Sequence, residues 1–409
     1  MYKDTKNSDR AILHCDANSF FASVEMALNP ALKSVPMAVC GNEAERHGIV
    51  LAKNELAKKI GIVTAETVHS ARRKCKELVI CEPHHALYFE YSKKLNAIYS
   101  DYTDLIEPFG IDESWLDVTK SSYLGTPLEI AEKIRLRVKR ELGITVSIGV
   151  SFNKVFAKLG SDYKKPDAIT VISRDNFKSL VYPLAVESLL FVGNKTRESL
   201  NSIGIRTVGD LAHASDSLIE SRLGKSGIML LSFARGEDSS PVSTESEELK
   251  SVSNGYTFTH DITSIDDFLA AIDYLSIDIG KRLRSHRLMC QGVSLVLKDC
   301  NLRTYQRQRP LASPTNDSRA VAELAAKILE DENRTYPVRA ITVCAINLVS
   351  EDFATDQLDF FSEGKEEASD RAERREVALD EIRRKFGKDS ILNASIISTD
   401  FGIYKKDKK

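Results

Sequence analysis

FGIDESWLDV (109–118) places two carboxylates side by side, Asp112 and Glu113, at the entry to a strand. Pro108 and Gly110 precede the pair, and Trp115, Leu116 and Val118 follow it. The pattern reads as a short, half-buried hairpin. Adjacent acids in a hairpin are ordinarily a solvated turn. As a metal site they need a partner carboxylate from elsewhere in the chain, because Mg2+ takes carboxylate oxygens together with substrate phosphates.

That partner is legible upstream. AILHCD (11–16) reads as a buried strand ending in Asp16. Residues 87–106 repeat apolar side chains at three- and four-residue spacing, which predicts a helix. TPLEIAEKIRLRVKRELG (126–143) has capping-box spacing at Thr126 and Glu129, Pro127 at the first helical position and Gly143 after the end. ITVSIGV (144–150) follows as a strand. This order predicts an α+β module, a mixed sheet with helices packed on one face. If the hairpin lies beside the first strand, Asp16, Asp112 and Glu113 converge. Three such carboxylates repel one another unless cations sit between them. Two divalent ions about 4 Å apart would stabilise both the attacking and the leaving oxygen in phosphoryl transfer.

The chain has 409 residues, 42% hydrophobic and 28% charged, the composition of roughly two to four globular domains. Seven scattered cysteines without a CxxC pair argue against a zinc site or a disulfide framework and for a reduced, cytoplasmic chain. No signal peptide fits, and no stretch is long enough to span a membrane. The net charge of −2 conceals a segment, 280–310, whose own net charge is +7. An acidic, Ser-rich stretch over 237–251 reads as a linker. Beyond it a second βαββαβ unit is predicted. Then come an irregular acidic segment, a charged helix near 366–386 and an apolar run, SILNASII, read as a strand.

Three motifs, DANSFFASVEMALNPAL (16–32), GIDESWLDVT (110–119) and GVSFNKVFAKLGSDYKKPDAI (149–169), stand in this order and closely resemble the Y-family translesion DNA polymerases, in their bacterial, SOS-mutagenesis branch. The resemblance covers roughly residues 10 to 350. It implies a right-hand polymerase: a ferredoxin-like palm (1–22 and 82–172), small fingers (23–81), a helical thumb with a helix–hairpin–helix (173–239), a linker (240–251), a DNA-binding little finger (252–350) and a C-terminal segment (351–409). The implied activity is template-directed extension of a primer 3′-hydroxyl, with low fidelity.

The resemblance also implies roles. Asp16, Asp112, Glu113 and the backbone carbonyl of Ala17 hold two Mg2+ ions. Phe21 is the steric gate against a ribose 2′-hydroxyl, with Phe20 beside it read as core. Asp117 is read as structural. Lys165, in preference to Lys164, contacts the triphosphate. Where the family carries Tyr and Arg in the fingers, this chain has Glu55 and Lys58; Lys58 supplies a point charge rather than a bidentate fork, and Asn54 is a candidate to take over a hydrogen bond. Ile49, Val50 and Leu51 roof the nascent base pair. Gly193 and Lys195 sit in the helix–hairpin–helix that meets a duplex phosphate. Lys281, Arg282, Arg303, Arg307 and Arg309 contact DNA phosphates without sequence preference. QLDFF resembles the bacterial sliding-clamp peptide, with Gln357 as anchor and Leu358, Phe360 and Phe361 filling a pocket. The expected partners are primer–template DNA, deoxynucleoside triphosphates and the clamp, with the chain a monomer. Two other readings differ in class. A nucleotidyl cyclase also pairs carboxylates on such a palm but lacks the thumb motif and the basic module. A catalytically impaired DNA- and clamp-binding scaffold is kept open by Glu55 and Lys58.

Overall fold

The strand Ile12–Ala17 is buried along its whole length, and the computed structural model shows why: both faces of its sheet are covered. The structure describes residues 10–42, 48–245, 248–331, 337–354, 365–387, 390–392 and 394–397. The sheet has five strands in the order Ile106–Pro108, Glu113–Asp117, Ile12–Ala17, Val146–Ser151 and Ile169–Ile172. All pairings are antiparallel except the last. Leu13 and Cys15 face helices His85–Ser100 and Pro127–Leu142, packing with Leu95, Ile98, Ile130 and Ile134. Ile12 and His14 face helix Lys154–Tyr163, meeting Ala157 and Ser161. The expectation of helices on one face is therefore corrected. AILHCD carries apolar residues at consecutive positions because neither face of that strand meets water.

The second layer depends on Gly149. A Cβ there would stand 1.9 Å from the Ala157 carbonyl oxygen and 2.5 Å from the Ser161 nitrogen. Only glycine lets helix Lys154–Tyr163 approach the sheet this closely. The capping box expected at Thr126 and Glu129 is present, with Pro127 in the first turn and Gly143 left-handed after the end.

A three-stranded sheet, Val50–Lys53, Met37–Cys40 and Val79–Cys81, has its own small core around Ala57, Ile62 and Val68. A helical module follows. Helix Asn194–Asn201 turns through Gly204, at φ +84, into helix Val208–His213, which opens with a Thr207/Asp210 capping box. A glycine suits this left-handed position.

The chain divides into two compact units, 1–41 with 49–246 and 42–48 with 247–409. The segment expected as a free linker is bound in its first half to the first unit. Lys154 N donates to Asp238, Arg10 to the Ser240 carbonyl and Ser243 N to Glu107, and Val242 is buried against Trp115.

The second unit is a four-stranded antiparallel sheet ordered Thr304–Thr315, Leu288–Asp299, Val338–Ser350 and Ser251–Ile262. Helices Ile265–Ser285 and Ser318–Asp331 close one face over Val293, Leu295, Leu297 and Val343. Helix Lys365–Phe386 belongs to this unit: Glu376 and Asp380 pair with the buried Arg284, and Ser318 donates to Glu376. The run read as a strand, SILNASII, instead contains a short helix, Ala394–Ile397. The seven cysteines are free. Among the described residues, no helix is long and apolar enough to cross a membrane.

Candidate active site

Register brings the acids together. Asp16 pairs directly with Glu113 across neighbouring strands, and Ala17 N donates to the Asp112 carbonyl at 3.0 Å. The end of one strand and the start of the next thus present Asp16, Asp112 and Glu113 to one cavity of about 510 Å3. Phe20, Phe21, Leu51, Ala52, Lys53 and Lys165 also line it.

Lys158, on the helix that Gly149 admits, was not singled out by the sequence. Its Nζ lies 2.6 Å from Glu113 Oε2, 3.1 Å from Asp16 Oδ2 and 3.2 Å from Asp162 Oδ2. Lys165 Nζ lies 2.9 Å from Asp16 Oδ1 and 2.8 Å from Asp162 Oδ1. Lys164 is exposed and does not line the cavity. The signal for Lys158 was its spacing, four residues before Asp162, which puts the two side chains on one face of a helix.

Burial pushes the Asp112 carboxyl above the ordinary carboxylate range, and the charge on Asp16 adds to this. Glu113 is also raised by burial, against the opposing pull of Lys158. Burial by itself would lower Lys158; the charges of Asp16, Glu113 and Asp162 reverse the sign and raise it. His14 lies fully buried beneath, its Nδ1 2.8 Å from Ser161 Oγ and its Nε2 3.5 Å from Glu113 Oε2. Burial, with the charges of Lys158 and Lys165, holds its pKa well below the usual imidazole value.

Four carboxylates (Asp16, Asp112, Glu113, Asp162) face three ammonium groups (Lys53, Lys158, Lys165) around the cavity. Among the described ion pairs Asp112 has no partner, so the surplus negative charge falls on a half-buried group. A surplus of hard oxygen donors suits a divalent cation. His14, Asp16 and Glu113 also bring one ligand atom each within 4.8 Å of the others.

Phe20 is core, at 3% exposure. Phe21 stands on the cavity wall, stacked on Tyr88 at 4.2 Å between centroids with planes 13° apart. Tyr88 is fully buried and its hydroxyl donates to Glu25 at 2.6 Å. Asp117 is tied to Thr119 at the far end of its strand, consistent with a structural role.

Asn18 also escaped the sequence reading. Its Oδ1 accepts from Asp167 N and its Nδ2 donates to Ser147, which fixes the loop carrying Lys165 against the sheet end.

In the three-stranded module the readings change. Asn54 is only 3% exposed. Its Oδ1 accepts from Met37 N and Ala57 N, and its Nδ2 donates to the Leu32 and Val35 carbonyls. Its amide is fully occupied in capping helix Glu55–Lys59, which corrects the expectation that it reaches a phosphate. Asn54→Ala should therefore destabilise the first unit by about 2–3 kcal/mol, through orphaned buried groups. The urea midpoint checks this. Lys53, donating to Thr64, lines the cavity. Lys58 is exposed, 3.6 Å from Glu55, and lies outside the lining. Of the expected roof, Leu51 lines the cavity, Val50 is buried in the module's core and Ile49 is exposed.

The basic run is spread over a helix, a turn and an edge strand. Arg307 and Arg309 lie opposite Leu295 and Val293 in register, so they share the helix-covered side, where Arg309 pairs with Asp331. Arg303 sits in the preceding turn; Lys281 and Arg282 are on helix Ile265–Ser285, Arg282 donating to the Ser253 carbonyl. Gly193 and Lys195 are exposed at the start of helix Asn194–Asn201, and a Cβ on Gly193 would meet no atom within 4 Å. Gln357, Leu358, Phe360 and Phe361 lie outside the described residues.

Comparison with known proteins places this geometry. The impB/mucB/samB family model matches residues 15–162, and the model of that family's C-terminal domain matches 249–360. DNA polymerase IV of Acetivibrio thermocellus is 46% identical over 382 residues, covering 92% of this chain and 95% of its own. DNA polymerase IV 1 of Bacillus subtilis is 35% identical over 379 residues, covering 92% and 91%. Among solved structures, the Y-family DNA polymerase chimera Dbh-Dpo4(243-245)-Dbh matches with a TM-score of 0.74 at 24% identity, over 83% of this chain and 99% of the chimera. The fold is that right hand, with a ferredoxin-like palm, small fingers, a helix–hairpin–helix thumb and a βαββαβ little finger. With both family models matched and two relatives similar over almost the whole chain, this protein belongs to the impB/mucB/samB family, the Y-family DNA polymerases.

Proposed function

We propose that this chain performs template-directed DNA synthesis across damaged template, with low fidelity. One observation carries the reading: Asp16, Asp112 and Glu113 converge with Phe21 and Lys165 on a single cavity. Asp16, Asp112, Glu113 and the Ala17 carbonyl hold two Mg2+ ions. When bound, the ions supply Lewis-acid chemistry, easing deprotonation of a primer 3′-hydroxyl and offsetting charge on the leaving pyrophosphate. Lys165 and Lys53 draw the triphosphate into the cavity, with Lys58 as a more distant charge. Phe21 rejects the 2′-hydroxyl of a ribonucleotide. Gly193 and Lys195 meet the duplex backbone. Arg307 and Arg309, on the edge strand of the little finger, Arg303, in the turn before it, and Lys281 and Arg282, on its helix, add phosphate contacts. The palm takes residues 1–22 and 82–172, the fingers 23–81, the thumb 173–239 and the little finger 252–350. The free cysteines suit a reducing cytoplasm, and the chain acts as a monomer.

Primer extension on undamaged and abasic templates, with Mg2+ and four deoxynucleotides, tests this reading. Extension through the abasic site supports it. Binding of primer–template without incorporation would favour the impaired scaffold, whose one supporting observation is the Glu55–Lys58 pair in the fingers.

The segment 357–361 docks on the sliding clamp. Truncation before Gln357 is a poor test, because it also removes Glu376 and Asp380 from the buried Arg284. Leu358→Ala with Phe360→Ala and Phe361→Ala is cleaner. It should abolish stimulation by the clamp and leave clamp-free extension within about twofold. An equal loss of both activities would count against the clamp role.

A further inference from the structure

We propose that Lys158 is a resident counter-ion of the metal site, and that a divalent cation enters by displacing its ammonium group from between Asp16 and Glu113. The inference rests on the metal-binding reading above and goes beyond it by assigning what holds the carboxylates beforehand.

The ammonium touches two of the three carboxylates, at 2.6 Å from Glu113 Oε2 and 3.1 Å from Asp16 Oδ2. Its side chain is only 15% exposed, so solvent screens these contacts weakly. A cation bound to the same oxygens would stand against that charge, and the two cannot share the position. The structure also provides a place for the displaced group. Asp162, one helical turn further on and half-exposed at the rim, is already 3.2 Å from Lys158 Nζ. A small rotation toward Asp162 would free Asp16 and Glu113 without stranding the ammonium. Lys165 reinforces the device, spanning Asp16 and Asp162 at 2.9 and 2.8 Å.

The consequence is a site that binds cations poorly by itself and better once a polyanionic nucleotide offers the lysines an alternative partner. That is a coupling between two ligands through a shared side chain.

The test is a titration of the full chain with Mn2+, without nucleotide, followed by electron paramagnetic resonance. Lys158→Met keeps the length and removes the charge. It should bind Mn2+ at least about tenfold more tightly than wild type, since a unit charge at contact distance is removed. Lys53→Met, which loses a cavity lysine that touches Thr64 rather than a carboxylate, should change affinity by less than about threefold. In EDTA the Lys158→Met melting temperature should fall, and added Mn2+ should raise it by more than it raises wild type. If Lys158→Met does not fold, Lys158→Arg supplies the opposite arm: a bidentate fork on Asp16 and Glu113 should weaken Mn2+ binding severalfold. Equal affinities of wild type and both Lys158 variants would overturn the proposal while leaving the metal site intact. Equal tightening by Lys53→Met and Lys158→Met would also overturn it, showing a general charge effect. Absence of Mn2+ binding by every form would overturn the metal reading, and this proposal with it.

Discussion

Asp112→Ala should abolish primer extension, by at least about a thousandfold, while leaving the protein folded and bound to primer–template. The activity loss follows from removing one oxygen ligand of the proposed metal site, which would supply several kcal/mol to the transition state, at 1.36 kcal/mol per factor of ten. The intact fold follows from the local electrostatics. Among the described ion pairs Asp112 has none, and burial together with the charge on Asp16 already disfavours its ionised form. Removing it relieves repulsion, so the melting temperature should stay level or rise slightly. Asp16 is the instructive contrast. It is paired with both Lys158 and Lys165, so Asp16→Ala removes two charge-assisted contacts at once and should cost about 1.5–3 kcal/mol of stability, the two lysines keeping Glu113 and Asp162 as partners. Loss of extension by Asp16→Ala would therefore confound folding with chemistry, and Asp112→Ala does not. Single-turnover extension beside calorimetry checks both halves. Retained extension by Asp112→Ala would sink the metal assignment.

Phe21→Ala should relax sugar selection by about 10- to 200-fold in the ratio of kcat/KM for deoxy- and ribonucleotides, the range over which a close-fitting pocket discriminates one small group. A steric gate excludes only if its ring cannot swing away. Here Phe21 is stacked on Tyr88, meets His85 edge-on at 5.9 Å, and Tyr88 is itself pinned by its hydroxyl to Glu25. The ring is thus held from behind by a buried partner, and the aromatic contacts are worth about 0.5–1.5 kcal/mol each beyond burial. Incorporation of deoxynucleotides should change less than that of ribonucleotides, because the alanine opens space on the sugar side alone. Unchanged rejection of ribonucleotides would remove Phe21 as the gate.

Much of this was legible in the chain. The hairpin acids, the strand ending in Asp16, the capping box at Thr126 and the helix near 265–285 all follow from local rules of periodicity and end signals. The two βαββαβ runs were legible as runs, but their strand orders differ. In the palm the first strand lies inside the sheet; in the little finger it lies at the edge. Pairing partners are long-range, and local propensity is silent about them. The hydrophobic character does agree with the outcome afterwards: AILHCD is apolar on both faces, whereas SVSNGYTFTHDI alternates with exposed polar positions.

Within the site, the sequence by itself determined which residues are acids, where strands begin and which aromatic follows Asp16, since those depend on residue type and neighbours in the chain. Tertiary structure alone decided that Lys158 sits between Asp16 and Glu113, that Asn54 is consumed as a cap, that Lys53 and not Lys58 lines the cavity, and that Arg307 and Arg309 share the helix-covered side of their sheet. The physical reason is the same each time. A charge or an amide does different work according to what faces it, and what faces Asp16 here, Lys158, stands 142 residues away in the chain.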